Sequence, residues 1–102
     1  MDIDALLKEM VAAANEAVKD DVGEIGDYAR QIVDNEKSSL EELGKARIKG
    51  DIDEATFDRE VEREKQVVKA ELLAIQIMTE AAAQKAVNAA MESFKNTVRS
   101  LI

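Results

Sequence analysis

The stretch IKGDIDEATFDRE (residues 48–60) decides the fold. Two readings compete for its acids. Asp51, Asp53 and Glu62 fall at the first, third and last positions of a calcium loop. The remaining positions do not fit. Ala55 offers no side-chain oxygen, and Thr56 stands where the loop needs glycine. A helix-to-helix turn accounts for more residues. Gly50 ends one helix as a C-cap residue. Asp53 caps the next, its carboxylate on the free amides of the first turn. Ile52 and Phe57 bracket that cap as a hydrophobic staple. The stretch therefore reads as a turn at about 50–53 between two helices.

Both flanks carry long apolar stripes. Val61, Leu72, Ala83 and Phe94 are eleven residues apart, as are Leu7, Val18, Ala29 and Leu40. Eleven residues over three turns give helices that pack nearly straight, unlike a leucine zipper. Val68, Thr79, Ala90 and Leu101 form another row, with Thr79 its one polar member. The phase persists through Gly23 and Gly26, each costing about 1 kcal/mol in a helix interior. The expected architecture is all-α: a long antiparallel hairpin of helices at about 4–49 and 53–101. The first helix is read as continuous or kinked near 20–26 or 35–39, the alternative being a simple loop at 20–27. Residues 1–102 form a single helical domain on this reading.

Reversal near Gly50 sets residues whose numbers sum to about 100 face to face. Ala14 then meets Ala86, Ile32 meets Val68, and Glu36 meets Glu64. The Ala-rich runs at 11–17 and 81–90 fall opposite each other and allow close approach. A lone hairpin covers one face of each helix. Leu6, Val11, Val33, Val67, Leu73 and Ile77 lie on second faces, and a helix apolar on two faces needs two neighbours. These six residues are the expected oligomer interface. Two hairpins would assemble as a homodimeric four-helix bundle or a higher oligomer; the alternative is a first helix that breaks, folds back and covers the second face within one monomer as a three-helix bundle.

The composition narrows the chemistry. The 102 residues include no His, Cys, Pro or Trp, and the net charge is −8. Without Cys there is no disulfide or thiolate metal site, and without His the commonest general base is missing. The serines have no base partner, so no catalytic residue is assigned. GEIG (23–26) is too short for a phosphate loop, so no cofactor is expected. Glu36 and Glu64 could hold a cation or be bridged by Lys37 or Lys65. A solvated pair at the edge of the stripe is the plainer reading, and no metal site is assigned. The acidic balance argues against nucleic acid and anionic membranes as partners. No apolar run is long and uncharged enough to span a bilayer. The N-terminus lacks a signal-peptide pattern, which points to the cytoplasm.

LEELGKARIKGDIDEATFDREVERE (40–64) resembles the short helical hairpin family called SHOCT. Leu40, Leu43, Gly50, Ile52, Asp53, Glu54 and Phe57 fit its pattern. Asp53 stands where that family usually has a hydroxyl cap. The resemblance implies an oligomerisation or interaction element without chemistry. The leading expectation is a non-enzymatic scaffold or adaptor whose partner is a second copy of itself or another protein. The alternative is a secreted helical-hairpin effector or secretion component, similar in outline to WXG100 proteins or needle subunits. The motifs of both are absent: no Trp-x-Gly stands at the turn, and no proline does.

Overall fold

In a computed structural model, which describes residues 1–75 and 78–102, the chain forms five helices. These are α1 (Ile3–Val22), α2 (Gly26–Asn35), α3 (Lys37–Lys49), α4 (Glu54–Ile75) and α5 (Glu80–Ser100). No strand occurs among the described residues.

The turn at 50–53 forms as its residues dictate. Gly50 takes the left-handed conformation, with φ 81° and ψ 14°. The Asp51 amide donates to the Ala46 carbonyl at 2.9 Å and the Gly50 amide to Arg47 at 3.2 Å. That pair of bonds is a Schellman stop, which satisfies carbonyls the ended helix leaves open. The Asp53 carboxylate accepts from the Thr56 amide at 2.8 Å and starts α4. Phe57 is fully buried and Ile52 half-buried against the same core.

The two long helices do not form. Each expected rod is split, so the 4–49 and 53–101 spans give way to shorter helices. Gly23 adopts φ 82° and ψ −161°, a conformation that stops α1. Asn15 holds the reversal: its side-chain oxygen accepts from the Ile25 amide at 2.8 Å, and its amide nitrogen donates to Glu24. Thr79 starts α5 by accepting from the Ala82 amide at 3.1 Å. An unbroken helix over 4–49 would measure about 70 Å, whereas the longest dimension of the molecule is 38 Å. The α2–α3 joint is milder. Glu36 alone leaves helical geometry, and the Leu40 amide still donates to the Glu36 carbonyl at 2.9 Å. The helices α2 and α3 are thus one bent rod. Ser38 and Ser39 lie exposed within α3.

Four rods result: α1, the bent α2–α3, α4 and α5. Side-chain pairs show that each neighbour runs antiparallel. Asp21–Lys85 and Glu9–Thr97 join α1 to α5. Asp4–Lys37 ties α1 to α3, Arg47–Glu54 ties α3 to α4, and Asp58–Lys95 ties α4 to α5. One chain therefore supplies the four rods that the sequence reading assigned to two hairpins. All four surround a single apolar core. Two of the three eleven-residue rows, Leu7 to Leu40 and Val61 to Phe94, are buried in it throughout, whereas Thr79 and Leu101 of the third are exposed. Ala14 and Ala86 line the same small apolar void, about 20 Å³, with Ile32, Val68 and Ala90. Room for a single water leaves no internal ligand site there. Among the described residues, no helix is long and apolar enough to cross a membrane.

Candidate functional site

The six residues expected at an oligomer interface divide. Leu6 and Val33 are buried in the chain's own core, because α2 folds back beside α1 and covers its second face. Val11 is half-buried and packs against that core. None of these three presents a broad apolar surface. Val67 and Leu73 remain 39% and 40% exposed on α4. Ile77 lies outside the described residues.

Why α4 keeps an apolar outer strip follows from its spacing. Its inner face is Phe57, Val61, Val68 and Leu72, all buried. Residues at 67, 70, 73 and 74 fall on the opposite side of the same helix. They are Val67, Ala70, Leu73 and Ala74, and all four are exposed. Gln66 lies among them, so this outer strip carries no charge for about two turns. Arg63, also exposed, ends it on the N-terminal side.

Beside the strip lies a carboxylate cluster. The joint residue Glu36 reaches Glu64 and Glu71, which are two turns apart on α4. The Glu36–Glu64 facing pair is thus present, and Glu71 joins it. The expected bridging lysines point elsewhere: Lys37 pairs with Asp4 at 3.1 Å and Lys65 with Glu62 at 3.1 Å. Glu64 Oε1 and Glu71 Oε2 are shut off from solvent and find no hydrogen-bond donor. Burial, then the Glu36 carboxyl, then the charges of Glu36, Glu71 and Glu60 push the Glu64 carboxyl up to about 7. Burial and Glu36 raise Glu71 in the same direction. The cause is elementary. Ionised carboxylates are all acceptors, so they cannot satisfy one another without a proton.

The cap residues sit as their sequence positions imply. Gly50 ends α3, and Asp53 caps α4. The hydrogen bond from the Thr56 amide holds the Asp53 carboxyl below its usual range. Two of the three acids of the calcium-loop reading are committed elsewhere, Asp53 to Thr56 and Glu62 to Lys65. Glu54, behind the cap, pairs with both Arg47 and Arg99. These bonds join α3, α4 and α5 at one end of the bundle.

The chain matches no family model, no curated protein and no solved structure.

Proposed function

We propose that this chain is a non-enzymatic interaction protein that pairs reversibly with a second copy of itself through the outer strip of α4. The exposure of Val67 and Leu73 on a helix whose inner face is already buried carries this reading. A second copy fits for two reasons. Most of the surface of a −8 chain repels an identical chain, whereas the strip is uncharged. It is also self-complementary. In an antiparallel crossing centred on Ala70, Val67 of each copy faces Leu73 of the other, and the alanines permit close approach.

The magnitude makes this a weak, adaptor-like contact. Burying the remaining exposed part of each Val or Leu contributes about 1 kcal/mol. Two such residues per copy, less the cost of association, place the dissociation constant at about 1 mM or weaker. The oligomer expected from six unpaired apolar residues has less apolar surface to bury, since Leu6 and Val33 already serve the core. The resemblance of residues 40–64 to the SHOCT hairpin belongs to the same class of role, and the cytoplasm suits it. Sedimentation velocity from about 10 µM to 1 mM tests the proposal. The mass should rise with concentration, and Leu73→Lys should abolish the rise while leaving helicity intact. A mass that stays monomeric at the top concentration, or a rise that Leu73→Lys preserves, ends this reading.

A further inference from the structure

We propose that Glu36, Glu64 and Glu71 form a proton-operated latch that holds the α2–α3 joint against α4. Three observations carry it. Glu36 is the single residue at which the α2–α3 rod leaves helical geometry. Its side chain, free of any capping bond, reaches the two acids on the neighbouring rod. Glu64 Oε1 and Glu71 Oε2 are closed off from water with no donor to satisfy them. A carboxyl shared between two carboxylates supplies the missing donor, as O–H donating to the neighbouring oxygen. Remove the proton and three like charges face one another across the joint.

Among the described residues, no base on the packed elements pairs with the cluster. On α2, Arg30 and Asp34 pair with each other. On α3, Lys37, Lys45 and Arg47 pair with Asp4, Glu41 and Glu54. On α5, Lys95 and Arg99 pair with Asp58 and Glu54, while Glu80 pairs with Lys69 of α4. On α4 itself, Lys65 pairs with Glu62 and Arg63 with Glu60, whose charge still raises Glu64. The proton is thus the cation that closes this joint. The upward displacement of Glu64 to about 7 puts the change near neutrality. Below that the latch is closed; above it the joint opens more often.

Hydrogen exchange and urea denaturation on the full chain test the latch. After correction for the intrinsic rate, protection of the joint amides (residues 36–40) should fall about tenfold between pH 5 and pH 8, the effect of roughly one pH unit of linkage. Amides at the α1–α5 contact, such as Ala86, should not follow. Glu36→Gln places a permanent donor in the cluster, so the urea midpoint should lose most of its pH dependence. Glu92→Gln, exposed on α5, removes one charge elsewhere and should keep that dependence. Equal pH dependence in the two variants would overturn the proposal. A carbon-detected titration of wild type covers the case in which Glu36→Gln does not fold. Midpoints for Glu64 and Glu71 near 4.5, the ordinary carboxyl value, would overturn it too.

Discussion

Phe57 and Phe94 pack ring to ring with centroids 5.9 Å apart and planes tilted by 30°. They are the only two phenylalanines in the chain, and both are fully buried. Phe57 lies one turn into α4, just after the cap, and Phe94 lies near the end of α5. The pair therefore joins the turn at 50–53 to the C-terminal helix.

That position sets the first expectation. Truncating a buried Phe to Ala costs about 3–5 kcal/mol, against a total stability of about 5–15 kcal/mol for a domain. Phe94→Ala should leave the chain marginal or unfolded at 37 °C. Phe94→Leu keeps most of the volume and should lose less than half as much. Urea denaturation followed by circular dichroism measures both. Equal midpoints for Phe94→Ala and wild type would mean that the two rings do not anchor the bundle.

The two glycines near the first reversal should respond in opposite directions. Gly23 sits at φ 82° and ψ −161°, where a side chain is strained even though space is open. Gly23→Ala should destabilise by about 1–3 kcal/mol. Gly26 is the first residue of α2, and nothing would crowd an added methyl group. Gly26→Ala should stabilise by about 0.4–1 kcal/mol through the unfolded chain. Comparing the two urea midpoints separates a real chain reversal at Gly23 from a continuous helix, in which both changes would stabilise.

The sequence revealed which residues are inside more readily than where the chain turns. The eleven-residue rows find the core because helical phase alone decides which side chains face it. Leu7, Val18, Ala29 and Leu40 are all buried although α1 ends between Val18 and Ala29. The phase runs through the break, so periodicity gave no warning of it. The Ala14–Ala86 meeting also survives, because folding each rod in half leaves the outer ends of the text adjacent. Thr79 was the readable sign of the second break: a polar residue in an apolar row, serving as the cap of α5. Asn15 left no comparable sign. It sits in an ordinary run, VAAANEA, and its role depends on a backbone amide ten residues away. The facing of Glu36 and Glu64 followed from the turn position, whereas the place of Glu71 required the bend at Glu36.

Asn15 is a direct test of the reversal. Its side-chain oxygen accepts the Ile25 amide, and Ile25 is buried. Asn15→Ala leaves that amide without its partner, at a cost of about 1–3 kcal/mol. Alanine has the better helix propensity, about 0.5 kcal/mol in the opposite direction, so the net loss should remain. Asn15→Ala should lower the denaturation midpoint and raise the exchange rate of the Ile25 amide. A gain in stability would show propensity winning, and with it a hinge that does not depend on Asn15.

The dependence of stability on pH should have a maximum on the acid side of neutrality. Glu64 and Glu71 have folded values raised above 4.5. Their contribution is therefore fully present below about 4.5 and is lost as pH climbs toward about 7, because the unfolded chain releases these protons first. Asp53 and Glu80 behave oppositely. The Thr56 amide lowers the first and Lys69 the second, so their contribution is present above the ordinary values of 3.8 and 4.5 and fades as pH falls through the depressed ones. The two trends cross between them, and stability should peak at about pH 5 rather than on a plateau reaching 8. Thermal midpoints at low protein concentration, kept low because the pI is near 4.6, would trace the curve from pH 3 to 8. A midpoint that rises steadily from pH 5 to 8 would mean that Glu64 and Glu71 are ionised without strain and that no proton sits in the cluster.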